Sequence, residues 1–289
     1  MSPIRNIAFL FCTAVFCSVL TACAPSPVQS TLDAPPVDQA RALAAYQQSE
    51  TRQQLMVAID LLQHHARQNP DNYQTLARLA NAYTLFGAGY VRNASEKEWA
   101  YSRAMQVAEQ AMMTSAHYAE VRRRNGGFAE AVKTLDSSYL EAMEFWKTAL
   151  FYRFREAKGV VDKVVRYPRL KQAVAVMEHM ESLDRNAIGG SNLMSQGIYY
   201  LALPEFAGGD RELSAQYLAE AAAVSNRSIL PRWGRAKYYA VAMNDYDLYR
   251  RDLEWVAAQP IDELIGFRPW NVLLQREAAA MLSSAPATG

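Results

Sequence analysis

The chain contains few cysteines, and all of them lie close to its N-terminus. It has 3 cysteines in 289 residues, at Cys12, Cys17 and Cys23. The chain beyond residue 23 therefore has no thiol for a disulfide, a cysteine-based zinc site or a catalytic cysteine. We predict that the folded part is stabilised by packing alone and holds neither a metal nor a cofactor.

The chain also has almost no net charge. Its 30 Lys and Arg residues stand against 29 Asp and Glu residues, so the formal net charge is +1. This balance supplies no basic field for a nucleic acid. Extensive disorder is excluded as well, because 16 Tyr, 10 Phe and 5 Trp are available for burial.

No apolar run is long enough to suggest a membrane-spanning helix. The longest, residues 7–20, follows Arg5 and has the length of a signal-peptide core. It ends in Leu20-Thr21-Ala22-Cys23, which resembles the lipobox of bacterial lipoproteins. We predict a signal peptide at residues 1–22 and lipidation of Cys23; an ordinary secretory signal with an incidental cysteine is the alternative.

Residues 23–37 are predicted to form a lipidated cysteine and an extended tether. Four of the chain's 12 prolines lie in residues 24–37, and proline favours extended backbone. Ala24, rather than Asp, follows the cysteine. By similarity to lipoproteins in general, this implies a periplasmic protein anchored to the outer membrane.

Strand alternation is absent from residue 38 onward, and helical spacing of apolar residues replaces it. We predict one all-α domain over residues 38–289. The predicted helices span 51–67, 71–86, 95–113, 138–155, 168–182, 191–203, 210–225, 229–243, 245–258 and 268–283.

Some of these helices match the tetratricopeptide pattern. Residues 58–70 fit the end of one repeat and residues 76–83 fit the start of the next, while residues 193–200 match another start. The pattern predicts a tetratricopeptide-like solenoid of helical hairpins in which residues 268–283 form a C-terminal capping helix. A non-repetitive helical bundle with alanine-rich seams is the alternative.

Four predicted helices share small or apolar residues at one spacing, which predicts closely packed seams. The sets are Ala58, Leu62 and His65; Ala104, Ala108 and Ala111; Ala173, Met177 and Met180; and Ala215, Ala219 and Ala222.

The sequence offers no convincing catalytic constellation. Glu178-His179-Met180-Glu181 lacks the two histidines of a zinc-protease helix. Gly208-Gly209-Asp210 lacks the lysine of a phosphate-binding loop, so we interpret it as a turn with Asp210 as the helix N-cap. We therefore predict a protein that is not an enzyme.

Several segments of the chain form a pattern that is found together in one protein family. They are Asn69-Pro70, Phe145-Trp146, residues 203–210 (LPEFAGGD), residues 235–241 (RAKYYAV) with Asp245, and residues 267–272 (FRPWNV) with Arg276. Over roughly residues 45–283 the chain thereby resembles the T component of tripartite ATP-independent periplasmic (TRAP) transporters. A polar, charged insert at 115–137 departs from the family's spacing.

The resemblance implies a lipid-anchored periplasmic accessory with cryptic tetratricopeptide repeats. It further implies a homotrimer that works with the transporter's soluble solute-binding protein and binds a small organic or apolar ligand. A scaffold lipoprotein for envelope protein assembly is the alternative. An apolar, aromatic-lined cavity would favour the transport role, and a solvated groove would favour the scaffold. The candidate ligand- or partner-binding residues are Asn81, Trp146, Asn192, Tyr199, Tyr238 and Trp270.

Overall fold

Helices follow one another through the whole of the described chain. The structure is a computed structural model that describes residues 36–156 and 160–284. The predicted signal peptide, Cys23 and the tether up to residue 35 lie outside the described residues. No strand occurs within the described ranges, which confirms the all-α prediction.

Fourteen α-helices lie in these ranges, some extended by short 3-10 or π-helical turns. They are α1 (Gln39–Gln47), α2 (Arg52–Gln68), α3 (Tyr73–Leu85), α4 (Ala94–Met113), α5 (Ala116–Arg123), α6 (Phe128–Val132), α7 (Leu140–Arg155), α8 (Val160–Leu183), α9 (Ala187–Ala202), α10 (Arg211–Ala223), α11 (Leu230–Gly234), α12 (Val241–Met243), α13 (Tyr246–Ala258) and α14 (Arg268–Ser284). The π-helical turns are Phe86–Tyr90 and Arg235–Ala240.

Most predicted helices agree with the structure to within a few residues at each end, and two differences stand out. Helix α8 begins at Val160 rather than at residue 168. Helix α1 was not predicted, although Asp38 caps it by accepting from the backbone N–H groups of Ala40 and Arg41. The prediction of Asp210 as an N-cap is confirmed, since its carboxylate accepts from the N–H of Leu213 at 2.9 Å.

The segment 115–137 is more than the polar insert that the sequence suggested. It contains α5 and α6, which bury Tyr118 and Phe128 in the same core as the preceding helices. The ring of Phe128 stacks on that of Trp146, with centroids 4.3 Å apart. Because many residues between Tyr118 and Phe128 are charged, the sequence pattern did not show that these two aromatic residues pack in the core.

Three of the four predicted seams are buried, and the fourth is wrong in part. Every member of the first three sets lies in the interior of the protein. On α10, however, Ala219 is exposed. The buried residues of this helix are Ser214, Leu218, Ala221 and Ala222, so its contact face is rotated from the predicted one.

A buried asparagine joins the N-terminal helices to α14. The Oδ1 atom of Asn81 accepts a hydrogen bond from the hydroxyl of Tyr46 at 2.7 Å and from the indole N–H of Trp270 at 2.7 Å. Arg268 forms an ion pair with Glu50 beside this junction. These contacts fix the start of α14 against α1 and α3, and the site described below lies on the other side of that start.

Candidate functional site

A cavity of about 630 Å³ lies between α7, α9, α11 with its π-helical turn, and the start of α14. Its volume falls within the ~300–1,000 Å³ usual for small-molecule sites. Aliphatic and aromatic side chains form most of its wall. They include Phe145, Phe151, Tyr152, Phe154, Leu170, Met194, Ile198, Tyr199, Leu201, Leu203, Leu230, Trp233, Ile265, Phe267, Trp270 and Leu274.

Helix α7 supplies one long wall of the cavity. Glu144, Thr148, Tyr152 and Arg155 all line it, because residues spaced three or four apart share one face of a helix. Phe151 lies between them on the same side. This wall therefore changes from a carboxylate through aromatic rings to a guanidinium along the helix.

Helix α9 forms the opposite wall and depends on glycine at its start. Ile188, Gly189 and Gly190 all have positive φ angles, of 51°, 63° and 86°. A Cβ atom at Gly190 would lie 2.8 Å from the carbonyl oxygen of Ala221, so α9 and α10 could not approach as they do. The turn directs Ser191, Met194 and the following turns of α9 into the cavity.

A π-helical turn positions the third wall. It widens the helix at Arg235–Ala240, a distortion often found at functional sites. Arg235 holds it in place through two hydrogen bonds to the fully buried carboxylate of Asp252, at 2.7 and 2.8 Å. Tyr238 of this turn and Trp233 of α11, which pack edge to face, line the cavity here.

The inner end of the cavity carries a buried ion pair. The ammonium group of Lys147 has a relative exposure of 0% and lies 2.7 Å from Glu144 Oε2. Glu144 Oε1 accepts from the hydroxyls of Ser191 at 2.7 Å and Thr148 at 2.9 Å. Burial lowers the pKa of Lys147, although Glu144 opposes that shift. This end is electrically neutral, and its carboxylate is fully hydrogen-bonded.

The other end of the cavity is formed by an arginine among tyrosines. Arg155 donates a hydrogen bond to the hydroxyl of Tyr238, and its guanidinium lies 4.6 Å from the ring centroid of Tyr152. Its Nη2 atom also donates to Glu156 at 3.1 Å. Burial raises the pKa of Tyr238, which keeps its hydroxyl protonated at neutral pH.

Comparison with known families assigns the chain to one of them. A family model for the TRAP transporter T-component matches residues 51–287, which is most of the sequence. The chain belongs to the TRAP transporter T-component family. We found no curated protein that matches it.

Membership of this family makes the T-component an accessory of a transporter. This role suggests the cell envelope as its location. Among the described residues, no helix has the length and hydropathy that crossing a membrane requires. The same residues contain no group of three His, Cys, Asp or Glu side chains that could hold a metal ion.

The structure brings three of the six candidate residues of this T-component to the cavity. Tyr199, Tyr238 and Trp270 line it. The other three lie in the core away from its wall: Asn81 bonds to Trp270 and Tyr46, Trp146 stacks on Phe128, and Asn192 donates to the carbonyl of Met177 at 3.0 Å.

Sequence reasoning missed the charged residues of the cavity wall and the aliphatic hydroxyls of Thr148 and Ser191. Arg155 and Glu144 follow the apolar spacing of α7, and their position on its cavity face could have been inferred from Phe151 and Tyr152. Spacing alone could not have placed Trp233 and Tyr238 on one wall, because the π-helical turn that begins at Arg235 shifts the helical spacing between them.

Proposed function

We propose that this chain is an auxiliary periplasmic lipoprotein of a TRAP-type transporter. In this role it docks the transporter's solute-binding subunit and holds a small organic or apolar ligand in the cavity. The observation that carries the proposal is the family match over residues 51–287. The aromatic cavity supports the ligand-binding part, because apolar walls with a few placed polar groups are typical of small-molecule sites.

We propose that the fold is a tetratricopeptide-like array of helical hairpins with α14 as its capping helix. Packing of α1 on α2, α3 on α4, α9 on α10, and α13 on α14 supports this arrangement. The family resemblance adds assembly as a homotrimer. No enzymatic activity, cofactor or nucleic-acid partner forms part of the proposal.

The alternative function, a scaffold lipoprotein for envelope assembly, binds proteins only. It requires a solvated groove and gives no reason for an aromatic cavity. The cavity between α7 and α14 therefore favours the transport role over the scaffold.

Affinity purification of the tagged protein from the envelope of its own cell tests the docking role. We expect a solute-binding protein encoded with a TRAP transporter to co-purify with it and to bind the purified chain directly. Recovery of envelope-assembly proteins alone would contradict the transport proposal and support the scaffold. A tagged unrelated outer-membrane lipoprotein is the control for adventitious capture.

Changing Cys23 to Ser tests the lipid anchor. If Cys23 carries the lipid, Cys23→Ser should move the protein out of its normal outer-membrane fraction, because the acyl chains supply the membrane affinity. Fractionation of cells followed by immunoblotting measures the change. Cys17→Ser, which leaves the predicted lipobox intact, is the matched control. Identical fractionation of all three proteins would contradict lipidation at Cys23.

A further inference from the structure

We propose that the cavity takes a single-chain amphiphile with a carboxylate head, in which the chain fills the aromatic interior and the head binds Arg155 and Tyr238. The inference rests on the proposed ligand-binding role and gives that role a chemical class and an orientation.

The charges on the cavity wall differ at its two ends. Glu144 and Arg155 are the lining residues that carry a formal charge at neutral pH among the described residues. Glu144 is neutralised by Lys147, which lies 2.7 Å away. Glu156, the ion-pair partner of Arg155, is shared with Lys97 at 3.2 Å. Among the side chains that the structure describes, two cations thus face one carboxylate beside Arg155, which gives this end a positive charge.

Hydrogen-bonding capacity also remains at the Arg155 end. A guanidinium has five N–H donors in a planar fork that matches a carboxylate. Within the described residues, the hydrogen bonds of Arg155 go to Tyr238 and Glu156. The Tyr238 oxygen accepts from Arg155, so its own O–H is left to donate. A carboxylate placed there would receive charge-assisted bonds from the arginine and the tyrosine.

The neutral end fixes the orientation of the ligand. Both oxygens of Glu144 already accept from Lys147, Thr148 and Ser191. A second carboxylate at this end would meet the Glu144 charge and find these donors occupied, which is unfavourable for a buried anion. The tail of the amphiphile therefore points toward Glu144.

The length of the wall suits a medium-length chain. Glu144 and Arg155 are eleven residues apart on α7, which corresponds to about 16 Å along the helix axis. Between them, Phe151 and Tyr152 line the cavity, and Ile198 of α9 and Trp233 of α11 also line it. These side chains offer apolar surface to an alkyl chain and no unpaired buried charge.

Titration of the full Cys23→Ser chain, prepared without detergent, with ten-carbon probes tests the inference. The probes are decanoate, decan-1-ol and decyltrimethylammonium, and tryptophan fluorescence and calorimetry report binding. We expect decanoate to bind about 10- to 100-fold more tightly than decan-1-ol, since its carboxylate adds charge-assisted hydrogen bonds to Arg155 and Tyr238. The cationic probe should bind most weakly.

Two variants of the Cys23→Ser chain test where the carboxylate head of the ligand binds. Arg155→Met should remove the preference for decanoate while decan-1-ol binds as before, and Tyr238→Phe should reduce that preference in part. Arg153→Met is the matched control, because Arg153 pairs with Glu98 and does not line the cavity. Circular dichroism checks that each variant is folded.

The outcomes separate this inference from the function on which it rests. Equal binding of decanoate and decan-1-ol, or a preference that survives in Arg155→Met, would overturn the carboxylate head but leave an apolar ligand site intact. Ile198→Trp, which fills the cavity, should then weaken both probes. If no probe binds, ligand binding and this inference both fail, whereas the docking role is judged by the co-purified solute-binding protein alone.

Discussion

Replacing Lys147 with methionine should destabilise the protein by about 3–5 kcal/mol. Methionine fills nearly the same space, so the loss comes from the charge. Glu144, whose side chain is 4% exposed, would keep its two hydroxyl partners but lose its counter-ion. An unpaired buried carboxylate must remain charged at high cost or take up a proton. Urea denaturation of wild type and variant at pH 7 measures the difference.

Two further variants show whether charge is the cause. Lys147→Met combined with Glu144→Gln removes both charges and should recover much of the lost stability. Lys97→Met breaks a comparable ion pair with Glu156, but both side chains are 22% exposed, so the cost should stay below about 1 kcal/mol. A Lys147→Met variant as stable as Lys97→Met would mean that water reaches Glu144.

The sequence alone predicted most of the helices, but it identified only some of the residues that line the cavity. Apolar spacing and breakers such as Pro70 and Pro260 place most helices, because local propensity and burial agree there. Three of the candidate residues line the cavity, and all three are aromatic: Tyr199, Tyr238 and Trp270.

Local sequence patterns have one clear limit here, which is that burial in this protein includes polar residues. Asn81 Oδ1, Lys147 and Asp252 are fully buried, and each bonds to a partner far away in sequence or on another helix. No local pattern predicts such pairings. On α10 the apolar face is weak because alanines lie on every side, so Ala219 could not be distinguished from Ala222 by spacing alone.

Raising the pH above about 10 should unfold the protein over a narrow range. Nine tyrosines among the described residues have a pKa above the ordinary value of 10.0, and burial is the first cause for each: Tyr46, Tyr73, Tyr83, Tyr90, Tyr101, Tyr118, Tyr152, Tyr238 and Tyr249. Above pH 10 the unfolded chain loses these protons while the folded chain keeps them. Stability is then complete below pH 10 and falls as the pH rises toward the folded pKa values.

The expected loss of unfolding free energy from the tyrosines is larger than the pH-dependent contribution of Lys147. Each such tyrosine costs ~1.4 kcal/mol per pH unit once the unfolded chain is deprotonated. Between pH 10 and 11, where the unfolded chain is still partly protonated, three of them remove about 3 kcal/mol out of a typical total of ~5–15 kcal/mol. Lys147 acts in the opposite direction. Its lowered pKa makes stability rise with pH up to its ordinary value of 10.5, but it is one group against nine.

Urea denaturation at half-unit steps from pH 8 to 11.5 measures this loss, and single tyrosine variants identify its origin. Tyr101 is fully buried, and within the described part of the chain its hydroxyl makes a long contact of 3.4 Å with Glu156. Tyr101→Phe should therefore reduce the fall in stability above pH 10, by about 1 kcal/mol between pH 10 and 11, at little cost at neutral pH. Tyr246→Phe, at an exposed position, should behave as wild type. A stability that stays level to pH 11 would show that these hydroxyls ionise in the folded protein as readily as in the unfolded chain, and that the tyrosine-rich core and cavity wall are open to water.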